Sequence, residues 1–196
     1  SRGEPIVIRN AVCLHEEDAG VLWKHWDFRT GHTEVRRSRR LVVSSISTIG
    51  NYDYGFFWHF YQDGSIEVVV KATGILATAA CPPGERPEHG QLVAEGLNGM
   101  IHQHFFNVRL DLDVDGVRNA VYEVETEALP PGAGNPFGNA FRPVRRLLRT
   151  EGESPQVVDQ LRGRYWLVVN NERRNAVGEA VGWKLCPGEN VLPFAQ

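Results

Sequence analysis

The sequence predicts an all-β protein, a large antiparallel β-sandwich or part of one. A nearly continuous aromatic segment, residues 52–61, is followed by the β-branched, alternating residues 65–75, and Asp63-Gly64 between them is a strong hairpin turn. Residues 102–112 alternate between apolar and polar side chains with the period of a strand. With 196 residues the chain can bury a substantial core, and we expect one partial catalytic sandwich domain over residues 1–196.

The elements follow in order from residue 41. Residues 41–48 are predicted as a strand, and the hairpin of residues 52–75 is apolar on both faces, which favours a covered, central position in the sheet. Residues 79–99 are rich in proline and glycine and are predicted as a long loop.

A second hairpin is predicted from residues 102–112 and 120–127, with Asp115-Gly116 at its turn. Residues 129–143 are predicted as an open segment, and residues 144–150 as either a short helix or an extended arm. Two further strands, residues 165–170 and 180–186, complete the predicted fold.

Composition excludes several classes of partner. A net charge of -3 and a pI near 6.2 argue against binding to nucleic acid or to an anionic membrane. The one basic cluster, residues 36–40, runs directly into an apolar strand and is interpreted as its solvated beginning. No apolar stretch reaches the roughly 20 residues that span a bilayer, so we expect no membrane segment.

Two histidines separated by one residue, His102 and His104, form the first chemically informative pattern. On a strand such residues project from the same face, about 6.6 Å apart along the backbone, and can converge on one metal ion. Imidazoles alone suit copper or zinc, and a zinc hydrolase is one reading. Alternatively, the two rings bond to backbone carbonyls in the core, or they are exposed at the beginning of the strand.

The second pattern is the segment from Thr48 to Tyr54, with Tyr52 between an amide and a carboxylate. Taken alone, it is typical of a loop that enters a strand whose aromatic side chains pack on one face.

Together the two patterns resemble the copper amine oxidases. That family's quinone-precursor motif, Thr-x-x-Asn-Tyr-Asp/Glu-Tyr, is matched by Thr48, Asn51, Tyr52, Asp53 and Tyr54, and its paired copper ligands by His102 and His104. The similarity extends over nearly the whole chain, through residues 13–18, 22–25, 39–43, 71–75 and 181–185. The fold it implies is part of the copper amine oxidase supersandwich.

The resemblance implies a role for each matched residue. Tyr52 would be converted by copper and oxygen into trihydroxyphenylalanine quinone (topaquinone), whose carbonyl reacts with primary amines as a phenol cannot. His102 and His104 would hold copper together with a third histidine, and Asn51 would orient the quinone ring. Asp53 follows in the motif without a role that the sequence reveals.

Asp111 and Asp113 resemble part of the family's peripheral metal site, commonly calcium, because hard carboxylate oxygens suit that ion. The alternative is that both are solvated carboxylates on an exposed strand face.

The resemblance implies a primary amine oxidase that converts amine, oxygen and water into aldehyde, ammonia and hydrogen peroxide, as a homodimer in its full-length form. The rival reading is a non-catalytic β-sandwich that serves as a metal-binding or interaction module.

Some residues of the family pattern are not matched here. The aspartate base and the third copper histidine fall outside this sequence, so we expect the chain to be an internal part of a longer oxidase or a remnant of one. An odd number of cysteines agrees with a disulfide partner for Cys13 upstream, as the resemblance implies.

We therefore predict that the isolated chain neither forms the quinone nor turns over amines. The measurement is aerobic addition of copper followed by phenylhydrazine, and a visible quinone band or an adduct at Tyr52 would contradict the prediction.

Overall fold

The computed structural model describes residue 3, residues 5–188 and residues 190–194, and within them nearly all regular structure is strand. The strands are β1 (Val12–Trp26), β2 (Thr33–Ile49), β3 (Tyr52–Tyr61), β4 (Ile66–Gly74), β5 (Thr78–Ala80), β6 (Gly90–Ala94), β7 (Leu97–Met100), β8 (Asn119–Ala128), β9 (Phe141–Leu148), β10 (Tyr165–Arg174) and β11 (Ala180–Leu185). One short 3-10 helix, Glu151–Glu153, lies between β9 and β10. All strand pairs described are antiparallel, which confirms the predicted fold class.

The chain divides into two compact units, Ser1–His102 and Gln103–Gln196. The first contains a four-stranded sheet in the order β1-β2-β3-β4 and a three-stranded sheet in the order β5-β7-β6. The aromatic strand β3 lies between β2 and β4, the inner position that its apolar composition predicts.

The second unit contains a four-stranded sheet in the order β11-β10-β8-β9. Its edge strand β9 carries Pro143 opposite Thr126, and a proline is tolerated there because an edge strand leaves one row of backbone groups without a ladder partner. Within the described residues, no helix has the length and apolar character needed to cross a bilayer.

Three predictions about local structure were wrong. Residues 79–99 are not a long loop, because β6 and β7 and the end of β5 lie within them. Residues 101–113 form no strand, since none of the described strands pairs with them, and β8 pairs instead with β9 and β10. Alternation of apolar and polar residues indicates which face of an extended segment is apolar, but a β-strand also needs hydrogen bonds to a neighbouring strand. Residues 129–143 are not open throughout, because β9 begins at Phe141.

Few side chains are fully enclosed. The buried apolar residues of the described chain are Val42, Tyr54, Val114, Val124 and Val169. Large apolar side chains on the strands of both units are exposed, among them Ile46, Trp58, Val121 and Trp183. Exposed apolar surface of this kind is typical of an interaction surface.

A continuous polar ladder crosses one face of the first sheet. The Arg40 guanidinium on β2 donates to Glu17 Oε2 on β1 at 2.7 Å and to the Tyr61 hydroxyl on β3 at 2.9 Å. Tyr61 in turn donates to Glu67 Oε2 on β4 at 2.9 Å, and the buried His59 donates to the same oxygen from Nδ1 at 2.8 Å. The bonds from His59 and Tyr61 lower the pKa of the Glu67 carboxyl. The ladder joins all four strands.

The ladder makes the pairing of β1 and β2 sensitive to acid. Hydrogen bonds from His15 and then Arg40 lower the pKa of the Glu17 carboxyl from 4.5 to about 2. A depressed carboxyl pKa contributes stability that is fully present above 4.5 and is lost as pH falls toward 2. Amide hydrogen exchange, read as protection factors across β1 and β2, should show this loss, and Glu17→Gln should flatten it. Glu88→Gln, at an exposed loop position, is the control. Unchanged pH dependence in Glu17→Gln would contradict the account.

Candidate functional site

The tight connection between β2 and β3 presents Tyr52. Strand β2 ends at Ile49 and β3 begins at Tyr52, and these two residues are paired across the connection. Gly50 has a φ of 63°, a left-handed conformation that glycine adopts without steric cost. Tyr52 is therefore the first residue of an inner strand, where its backbone is held from both sides by β2 and β4.

A side-chain bond reinforces this connection. The Thr48 hydroxyl donates to Asp53 Oδ1 at 2.5 Å, and the two residues lie directly opposite each other in the β2-β3 ladder. The bond closes the turn one residue pair outside Tyr52. It gives Asp53 a structural role that the motif alone does not reveal.

The structure brings Tyr52 and His102 together. The Tyr52 hydroxyl oxygen lies 2.8 Å from His102 Nε2, and the two ring centroids are 5.6 Å apart at an interplanar angle of 40°. Fifty residues separate them in sequence. This contact joins Tyr52, the first tyrosine of the motif, to His102, the first histidine of the pair.

A hydrogen bond at the other ring nitrogen of His102 fixes the tautomer of the neutral ring. His102 Nδ1 lies 2.8 Å from the carbonyl oxygen of Met100, the last residue of β7. A carbonyl only accepts, so Nδ1 carries the proton, and in the neutral ring Nε2 holds the lone pair. The Tyr52 hydroxyl therefore donates to Nε2. A histidine that ligates a metal commonly donates its second ring nitrogen to a carbonyl in this way.

Neighbouring residues complete the surroundings of Tyr52. The buried Tyr54 lies with its ring centroid 6.3 Å from that of Tyr52, in an edge-on arrangement. The carbonyl of Asn51 accepts a hydrogen bond from the amide of Ile75 at 2.7 Å. Asn51 is thus fixed by its backbone.

The remaining predicted residues belong to the second unit. His104, Asp111 and Asp113 are exposed there, and Asp113 Oδ1 accepts a hydrogen bond from the Gly116 amide at 2.9 Å. Within the part of the chain that the structure describes, no three histidine, cysteine, aspartate or glutamate residues are arranged to hold a metal.

Sequence reasoning missed how the residue between the two histidines is held. The side-chain oxygen of Gln103 accepts from the Phe194 amide at 2.8 Å, and its amide nitrogen donates to the Leu192 carbonyl at 3.4 Å. Both contacts lie within the second unit. No sequence signal links residues so far apart.

Comparison with solved structures places the chain in the class of antiparallel β domains from copper-containing oxidases. It superposes on a copper-containing benzylamine oxidase from Hansenula polymorpha with a TM-score of 0.85 at 30% identity, over 95% of this chain and 30% of that one.

Sequence comparison narrows the class. The model of the copper amine oxidase enzyme domain matches residues 1–196, so the chain belongs to the copper amine oxidase family. A primary amine oxidase of Arthrobacter sp. (strain P1) is 50% identical over 192 residues, which is 97% of this chain and 29% of that protein. A histamine oxidase of Arthrobacter globiformis is 49% identical over 188 residues, covering 96% of this chain and 27% of that protein. The chain spans less than a third of the length of these relatives.

The Thr48–Asp53 bond predicts a measurable effect of one substitution. Thr48→Val keeps the shape of the side chain but removes the donor, and the free energy of opening the β2-β3 connection should fall by about 0.5–1.5 kcal/mol. Hydrogen exchange at residues 49–53 measures this change. Thr48→Ser retains a hydroxyl and is the matched control. Equal protection in the valine and serine variants would contradict the assignment.

Proposed function

We propose that the protein carrying this chain oxidatively deaminates primary amines, with oxygen as the second substrate, and releases aldehyde, ammonia and hydrogen peroxide. The single observation that supports the proposal is the 2.8 Å contact between Tyr52 and His102. The matched residue of the quinone motif meets a matched copper ligand there. The names of the relatives, primary amine oxidase and histamine oxidase, agree with an amine substrate.

His102 and His104 would hold copper. The donor chemistry fits, because neutral imidazole nitrogens suit this metal, and the Met100 carbonyl leaves the His102 lone pair on Nε2. Bound copper, and the quinone derived from Tyr52, would supply redox and electron-sink chemistry that ordinary side chains lack.

The residues of this chain would control the phenol. His102 Nε2 accepts the hydrogen bond from the Tyr52 hydroxyl, and the same lone pair would be the one that His102 offers to copper. The Thr48–Asp53 bond and the bond from Ile75 to the Asn51 carbonyl hold the backbone on both sides of Tyr52. Asn51 would orient the ring, in keeping with its place in the motif.

Two further assignments complete the proposal. Asp111 and Asp113 would contribute to a peripheral calcium site, since exposed carboxylate oxygens suit that ion. The whole protein would be a homodimer, and the large uncovered apolar area of this chain supports a need for covering polypeptide.

Substitution of the two histidines tests the copper assignment in the whole protein. His102→Ala and His104→Ala should each weaken copper binding by at least about 100-fold, since even outer-shell changes cost 10- to 100-fold. Both should abolish formation of the quinone. Metal analysis and phenylhydrazine titration measure the two effects.

His32→Ala is the control, because His32 is exposed in the β1-β2 hairpin and contacts Glu34. It should keep both copper and quinone. Full copper occupancy in His102→Ala would refute the assignment.

A further inference from the structure

Gly74 lies at the end of β4, directly opposite Tyr52 in the ladder. Its φ of 103° lies in a region that residues with a side chain rarely adopt. Residue type alone does not reveal its role, because the chain contains 20 glycines.

The space at Gly74 is closed by the backbone that carries Tyr52. A Cβ at this position would lie 2.5 Å from the carbonyl oxygen of Asn51, 2.9 Å from the Cα of Tyr52 and 2.8 Å from the amide nitrogen of Asp53. These atoms belong to three consecutive residues, and none is the flexible end of a side chain. The backbone of Tyr52 would have to move to admit even one methyl group.

The close approach permits the hydrogen bond that follows it. The Ile75 amide donates to the Asn51 carbonyl at 2.7 Å, the same carbonyl that crowds Gly74. β4 therefore holds the peptide immediately before Tyr52, while the Thr48–Asp53 bond holds the residue immediately after it. The two contacts fix the segment from opposite neighbouring strands.

We propose that Gly74 is a positioning residue for Tyr52. By lacking a side chain it lets β4 close against residues 51–53 and directs the tyrosine hydroxyl to His102 Nε2. This inference rests on the proposed function, in which Tyr52 is the residue that copper and oxygen modify.

Gly64 provides a matched comparison on the same β3-β4 hairpin. It has a φ of 87°, and a Cβ there would meet nothing within 4 Å. Gly64→Ala therefore carries the conformational cost of an unfavourable φ without displacing any neighbour. The difference between Gly74→Ala and Gly64→Ala isolates the contact with the Tyr52 backbone.

The experiment uses both variants in the whole protein. In the metal-free state, hydrogen exchange of residues 49–54 should be about tenfold faster or more in Gly74→Ala, whereas Gly64→Ala should leave these residues unchanged. After copper and air are added, Gly74→Ala should form the quinone about 10- to 100-fold more slowly at equal copper content, because small displacements of reacting groups cost rates of that order. Gly64→Ala should stay within about twofold of the unmodified protein.

Ile75→Pro keeps the experiment decisive if Gly74→Ala does not fold. It removes the amide that donates to Asn51, and the Ile75 side chain is 73% exposed, so little packing is lost. This variant should accelerate exchange and slow quinone formation in the same direction.

The inference would be overturned if Gly74→Ala formed the quinone at the same rate as Gly64→Ala. If Gly74→Ala does not fold, the same result in Ile75→Pro would overturn it. If the unmodified protein itself forms no quinone, the proposed function fails, and the exchange comparison alone decides whether Gly74 positions Tyr52.

Discussion

The contact between the Tyr52 hydroxyl and His102 Nε2 is the interaction on which the account of this protein depends. It requires two separate sheets of the first unit to end at the right places, since Tyr52 begins β3 and His102 follows the end of β7 by two residues. The Met100 carbonyl sets the proton on Nδ1, so the nitrogen that faces the phenol is the one with a lone pair. The Tyr52 hydroxyl and His102 Nε2 are thereby held in direct contact.

Several contacts hold the backbone around Tyr52, although many side chains of this chain are exposed. The Thr48 hydroxyl bonds to Asp53, and the Ile75 amide bonds to the Asn51 carbonyl. Gly74 has no Cβ and so lets β4 lie close to the backbone of Tyr52. Elsewhere large apolar side chains are uncovered. The backbone at Tyr52 is therefore held by hydrogen bonds and close backbone contact within one sheet, whereas large apolar side chains elsewhere on the described strands are exposed.

Much of this could be predicted from the sequence, because hairpin turns and apolar patterning are local signals. The strand Tyr52–Tyr61 and its turn at Asp63-Gly64 occur as predicted, and Tyr52 and His102, which match the family's motifs, lie in contact. The alternation of residues 102–112 was misleading, since it specifies faces but not a pairing partner. The roles of Met100 and Gly74 could not be predicted from the sequence. Met100 acts through its backbone carbonyl, which every residue has, and Gly74 acts by lacking a side chain where the backbone of residues 51–53 passes close to it.

The most direct test is the mass of the peptide that contains Tyr52, taken from the protein purified from its natural source with its copper content measured. Conversion to the quinone adds two oxygen atoms and removes two hydrogen atoms from the tyrosine, and the account predicts this change at Tyr52 alone. An unmodified Tyr52 in protein that is fully loaded with copper would contradict it and would favour a domain that binds metal without catalysing amine oxidation.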